Sequence, residues 1–336
     1  MKIVTPLPNI ASYEPLVRAG ADEFYCGYVP FQWLESYSNV LPLNGRAYLA
    51  LECNFSSLSS LKILRKMVDH YGVPVKFTFN AHYYLESQYP MLLEIMKQLT
   101  DNGFNTFIMA DTALIIYLQQ QGLDCKIHLS GEFGAANHMA VSKINRGGIN
   151  RVVFPRKTRI NHMKTLIQKV DNGEMEYEAF IVNGMCQYSG AYCNTIHCDE
   201  MYSACLIPYR CVRIDPDSSQ FEDTGHALDV QQQFREEEAS EASAAISRGK
   251  IYEAPELGAH GCGLCKIKEL MDIGVGFLKV VGRERKTVNL ANDIKGVKEI
   301  IRLAENAGDR TSFEEKIKEK YFNNRCPEIC YYPPEA

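Results

Sequence analysis

A short apolar strand, a polar loop and an amphipathic helix recur eight times along this chain of 336 residues, and few folds accept that alternation. The strand segments are KIVTP (2–6), DEFYCGY (22–28), VKFTFNA (75–81), TFIMAD (106–111), CKIHLS (125–130), RVVFPR (151–156), EYEAFIV (176–182) and FLKVVGR (277–283). They are brief, rich in β-branched residues and apolar on both faces, as parallel strands covered by helices should be. Several intervening helices run into glycine (Gly20, Gly72, Gly103, Gly122, Gly147), the usual left-handed stop. Eight such units predict an α/β fold of the (β/α)8 TIM type. The alternative is an open doubly wound sheet. It lacks support after the first strand, where TPLPN stands in place of a Gly-rich phosphate loop.

Two segments interrupt the pattern. An excursion over 29–55 contains the strand-like RAYLALE. A longer, cysteine-rich insertion, 184–270, separates the seventh and eighth strands. Its middle, ALDVQQQFREEEASEASAAISRGK, is charged and poor in apolar residues, and reads as a solvated helix or loose segment. The expected organisation is a barrel over 1–308 that includes this insertion. A helix (FEEKIKEKYF) and a tail (NNRCPEICYYPPEA) over 309–336 then pack on the barrel or on a partner.

Twelve cysteines demand an explanation, and seven of them (Cys186, Cys193, Cys198, Cys205, Cys211, Cys262, Cys265) fall in two short segments. The N-terminal apolar run is too short and too proline-broken for a signal peptide. No stretch reaches the roughly 18–20 apolar residues of a membrane helix. The expected compartment is therefore the cytoplasm, where clustered thiols hold metal or do redox chemistry rather than pair as disulfides. Thiolates select zinc or iron–sulfur clusters. Only Cys262 and Cys265 make a C-x-x-C pair. The upstream spacings are unlike paired zinc knuckles and suit the looser demands of a [4Fe–4S] cluster, with zinc or unligated thiols as alternatives. Cys326 and Cys330 in CPEIC are either a second thiol site or two incidental surface thiols.

In a barrel of this type chemistry sits on the segments that follow the strands. Those positions hold Asn9, Tyr28, Asn80, His82, Asp111, Ser130, Glu132, Arg156, Lys157, Cys186 and Arg283. Glu132 is placed for acid–base work. Arg156, Lys157 and Arg283 together make a clamp for a small carboxylate-bearing substrate, or else separate surface ion pairs. Asp111 reads equally as a helix cap, and His128, inside KIHLS, equally as a core histidine. No HExxH and no family-specific Ser-His-Asp or Cys-His spacing occurs.

At these residues the chain resembles the collagenase-like peptidase family U32, as a divergent member. The resemblance rests on AGADEFYCG (19–27), KFTFNA (76–81), IHLSGEFGAANHMA (127–140), RVVFPRKT (151–158), EAFIVNGMCQYSGAYC (178–193) and LKVVGRERK (278–286), and covers roughly 1–305 in one order. Lys157 stands where the family usually has Glu, Val281 where it has the Glu before Gly-Arg, and Gly131-Glu132 where it has Thr-Gln. The resemblance implies a TIM-type barrel and a [4Fe–4S] cluster. Carried over, the cluster ligands are Cys186, Cys193, Cys211 and Cys265, with Cys205 a close rival to Cys211, Cys262 beside Cys265, and Cys53 a further candidate. It also implies, for several branches, oxygen-independent hydroxylation of RNA bases or quinone precursors with oxygen taken from prephenate.

Three readings follow. The leading one is an iron–sulfur enzyme doing hydroxylation-type redox chemistry on a small molecule or peptide, with an electron-donor protein as partner. The others are a U32-type peptidase and a non-catalytic metal-binding assembly partner in a homo- or hetero-oligomer. A net charge of −5 argues against a nucleic-acid partner.

Overall fold

The computed structural model describes residues 1–38, 41–45, 53–135, 137–145, 148–171, 173–186, 212–214, 221–223, 257–324, 326–327 and 329–333. RAYLALE, the charged middle of the insertion, and Cys193, Cys198, Cys205 and Cys211 lie outside them. By contacts the chain divides into two compact units, Met1–Cys193 with Pro255–Ala336, and Asn194–Ala254.

The described strands are β1 (Lys2–Pro6), β2 (Glu23–Tyr28), β3 (Asn54–Phe55), β4 (Val75–Phe79), β5 (Thr106–Met109), β6 (Lys126–Leu129), β7 (Ile149–Val153), β8 (Glu176–Val182), β9 (Val212–Ile214), β10 (Phe221–Asp223) and β11 (Phe277–Val280). In the first unit the strands run parallel in the order β1-β11-β8-β7-β6-β5-β4-β2, and β2 pairs again with β1. That closes an eight-stranded barrel, with β3 a short addition beside the end of β2. In the second unit β9 and β10 form an antiparallel pair.

Helices α1 (Tyr13–Ala19), α2 (Phe31–Tyr37), α3 (Leu58–Tyr71), α4 (Tyr89–Asp101), α5 (Thr112–Gln120), α6 (His138–Ile144), α7 (Ile160–Val170), α8 (Ile267–Asp272) and α9 (Thr287–Glu305) alternate with the strands. α10 (Arg310–Phe322) follows. Each of the longer barrel helices turns an apolar stripe inward: α9, for example, buries Leu290, Ile294, Val297, Ile300, Ile301 and Ala304. Ser57, Asp111, Asn137 and Asp309 each accept a first-turn backbone N–H and so start α3, α5, α6 and α10. Asp111 is thus a cap: its Oδ1 accepts from Ala113 at 2.7 Å and Leu114 at 3.1 Å. The fold is the expected (β/α)8 barrel. No described helix is long and apolar enough to cross a membrane.

One expectation fails in an informative way. The strands are not apolar on both faces, because the barrel interior is lined with charge. Arg151 is buried and bonds Glu23 (2.8 and 3.0 Å), Glu176 (2.7 and 2.9 Å) and Glu178 (2.9 Å). Its guanidinium lies 3.4 Å from the Phe277 ring centroid. Lys279 completes the network, 2.6 Å from Glu178 and over the Tyr25 ring. Burial by itself would push Glu178 upward, but Lys279 and Arg151 outweigh it and hold the carboxyl below the usual range. His128 is a core histidine in this interior, held neutral by burial and by Arg151, Lys76 and Lys279.

Removing Arg151 leaves Glu23 and Glu178 buried without it, while Glu176 stays in contact with solvent. Arg151→Ala should cost about 3–5 kcal/mol in urea unfolding; a loss under about 1 kcal/mol would show that the interior is wet.

Candidate functional site

Every segment that leaves the C-terminal end of a barrel strand meets the others at one mouth. After β6, Ser130 caps a single 3-10 turn (Gly131–Phe133), its Oγ accepting from the Glu132 N–H at 3.2 Å. That turn projects Glu132 toward the next strand. After β7 comes Arg156, whose Nη1 donates to Glu132 Oε1 at 2.7 Å and whose Nε donates to the Gly184 carbonyl at 2.7 Å. The guanidinium lies 4.4 Å from the Phe180 ring centroid, so it is gripped on its face as well as its edge. His82 Nε2 stands 3.9 Å from the other Glu132 oxygen. Glu132 is therefore poised between an arginine and a histidine.

Arg283, after β11, points the other way round the mouth. Its Nη1 donates to Asn44 Oδ1 (3.0 Å), Asn54 Oδ1 (3.4 Å) and Thr78 Oγ1 (3.3 Å). Gly27 makes this possible: a Cβ there would overlap the Asn54 carboxamide and come 2.9 Å from Arg283 Nη1. Between the two arginines lies Tyr25, which feels both charges; its hydroxyl donates to the Val280 carbonyl at 3.1 Å. Lys157 is exposed on the turn beyond Arg156. Of the three cations expected to form a clamp, Arg156 and Arg283 thus make contacts at the mouth and Lys157 is exposed.

Beyond β8 the chain turns sharply. Asn183 and Gly184 both take left-handed conformations (φ 65° and 64°), and a side chain at Gly184 would collide with Val281. The Asn183 side chain donates to Asp293 at 2.9 Å, and Asp293 also pairs with buried Arg285 at 3.2 Å. Met185 N–H donates to the His260 carbonyl at 2.9 Å. The next residue is Cys186, which is half-buried.

The thiols divide between two places. Cys186 stands at the start of the insertion, and Cys193, Cys205 and Cys211 fall outside the described residues. Cys265 lines a small cavity with Cys262, Cys326 and Cys330. Cys53 is fully buried beside β3. No disulfide joins the described cysteines. Sequence reasoning named His82, Glu132, Arg156 and Arg283 but not which of them pair. Asn44, Asn54 and Tyr25 went unnoticed, since asparagines in an irregular excursion and a tyrosine inside a strand carry no signal by themselves.

A model of peptidase family U32 matches residues 8–331. The tRNA hydroxylation protein P1 of Bacillus subtilis (strain 168) is 26% identical over 192 residues, which is 56% of this chain and 40% of that protein. The chain thus spans about two fifths of the length of the curated relative it matches. Among solved structures, the U32 peptidase Mk0906 aligns with 54% of this chain and 69% of its own, at 10% identity and TM-score 0.41. The native KDPGal structure aligns with 91% and 97%, at 8% identity and TM-score 0.45.

The support under the mouth carries a pH signature. Burial pushes the Asp293 carboxyl up to about 6, against the pull of Arg285 and Asn183. Its proton is bound more tightly in the folded state than in the unfolded chain, where the value is about 3.9. The group's contribution is therefore intact below about pH 4 and lost as pH rises through about 6, roughly 3 kcal/mol in all. Urea titrations of wild type and Asp293→Asn across this window should show wild type losing that amount relative to the variant. Parallel pH profiles would contradict the assignment.

Proposed function

The chain belongs to peptidase family U32, and from that premise we propose that it is an iron–sulfur enzyme of the oxygen-independent hydroxylation type, acting on a small molecule or peptide. The observation that carries this reading is the anchoring of Arg156. One guanidinium bonds Glu132 and the Gly184 carbonyl, two residues before Cys186, so the polar mouth and the first thiol of the cysteine stretch share one residue. The hydroxylation named for the Bacillus subtilis relative supports the reaction class. The net charge of −5 favours a smaller substrate than tRNA for this chain.

In the proposed reaction a substrate carbon–hydrogen bond becomes a carbon–hydroxyl bond, and a hydroxyl-bearing organic donor gives up its hydroxyl and takes the hydrogen. The substrate loses two electrons and the donor gains them. By the family resemblance, Cys186 and Cys193, with two of Cys205, Cys211 and Cys265, would hold a [4Fe–4S] cluster, which when bound would supply one-electron transfer. What supports the reading is Cys186, a soft thiol two residues beyond the carbonyl that Arg156 holds. The donor's carboxylate displaces Glu132 from Arg156, which offers a planar pair of N–H groups. Glu132, turned toward His82, then handles the proton. Arg283, fixed by Asn44, Asn54 and Thr78, holds a second anionic group, and exposed Lys157 attracts acidic ligands toward the mouth.

Anaerobically purified protein should be brown and carry about four iron and four sulfide per chain, and Cys193→Ala should lose most of both. Protein without iron and sulfide, or a Cys193→Ala variant with full occupancy, would sink the cluster reading. Peptide cleavage that survives removal of all metal would favour the peptidase reading instead. Arg156→Ala should raise the KM for a carboxylate-bearing donor about tenfold to a hundredfold, the worth of a charge-assisted pair; an unchanged KM would remove Arg156 from the clamp.

A further inference from the structure

The chain's C-terminal tail returns to the barrel and is built into it. Cys262 N–H donates to the Ile329 carbonyl at 3.0 Å, and Tyr331 N–H donates to the Cys262 carbonyl at 2.9 Å. These bonds form a parallel bridge between Cys262 and Cys330, and on its other side Cys262 bridges Val182 at the end of β8. Tyr331 and Tyr332 are buried, their hydroxyls donating to the Asn183 and Phe180 carbonyls. Gly261 and Gly263 admit them: a Cβ at either would press on the tyrosine rings at 2.9 and 2.7 Å. The docking is close, specific and backbone-deep.

Its consequence is chemical. The bridge sets the C-x-x-C pair of Cys262 and Cys265 beside the C-x-x-x-C pair of Cys326 and Cys330. All four thiols line one cavity, closed by Lys318, Phe322 and Pro327. We propose that these four cysteines bind a single zinc ion that fastens the tail to the barrel. Both spacings are those of zinc knuckles, and two such pairs make the four-thiolate set of structural zinc. The cavity, about 20 Å3, has room for a single small ion or water. Among the described residues no three donors stand at coordinating distance as the side chains lie. Each thiol turns on one staggered bond, so loading requires at least rotamer changes that bring the four sulfurs together.

Both lysines and carboxylates surround the thiols: Lys266 pairs with Glu314 and with Glu269 at 3.2 Å, and Lys318 with Glu314 at 3.7 Å. Lys266 and Lys318 both act on Cys265 and Cys330. Glu314 also faces Cys265, so a tetrathiolate there depends on the metal's own charge more than on these neighbours. The site claims Cys265 and so leaves Cys205 and Cys211 to complete the ligand set of the proposed iron–sulfur cluster. The two metals are thereby separable by experiment.

Full-length protein purified anaerobically without chelators should carry about one zinc per chain, with a zinc-edge absorption spectrum showing four sulfurs at about 2.3 Å. C326S/C330S should lose that zinc while keeping its iron and sulfide. Cys326→His, which preserves a zinc-binding set, should keep the zinc with one nitrogen in its shell; this variant decides the matter if the double variant fails to fold. Wild type without zinc, equal zinc in wild type and C326S/C330S, or an unchanged four-sulfur shell in Cys326→His would each overturn the proposal. So would loss of iron together with zinc in C326S/C330S, which would place the tail thiols on the cluster.

Discussion

Closure is the constraint from which the rest follows. Eight parallel strands can satisfy their backbone groups without an edge only by pairing β1 with both β2 and β11. Once they do, every segment that leaves a strand's C-terminal end is delivered to one face. Glu132 and Arg156 are 24 residues apart in sequence and follow the paired strands β6 and β7, whose parallel pairing brings them into contact. Arg283 and Asn44 are 239 residues apart and meet because β1 joins β11 to β2 and closes the barrel.

Closure also creates an interior that must be filled. Bulky aliphatic layers are the usual solution. This barrel uses aromatic rings and a buried ion network instead, with Arg151 serving three carboxylates and Lys279 a shared one. Such a network is costly to assemble and costlier to break. It floors the mouth with fixed charge, so that Tyr25, Arg156 and Arg283 sit above a rigid polar base rather than a deformable apolar one.

The strands were legible in the sequence because short β-branched runs punctuated by glycine have one good structural solution. The ends were legible to within a few residues: β8 falls where EYEAFIV predicts it, and β7 begins two residues before RVVFPR. The helix α2 was not, since FQWLESY follows a proline, carries three aromatics and is placed by Trp33 donating to the Leu41 carbonyl rather than by a cap. The six residues of α8 are too few to show a period. The interior charge left a trace that went unread, Glu176 and Glu178 alternating in one strand, because overall hydrophobicity masked it. The identities of the site residues were legible and their pairings were not. Pairing between segments is set by barrel register, which no local spacing encodes. The tail shows this most clearly. CPEIC looks incidental until the Tyr331 and Tyr332 hydroxyls find the carbonyls of Asn183 and Phe180 and carry it to Cys262.

The central claim is that the thiols serve two metals, a cluster at the mouth that begins at Cys186 and a single ion under the tail. Anomalous diffraction from anaerobic crystals at the iron and zinc edges tests it most directly. The account predicts an iron peak beside Cys186 and a separate zinc peak enclosed by Cys262, Cys265, Cys326 and Cys330. One iron peak at Cys265 and no zinc peak among those four thiols would contradict it.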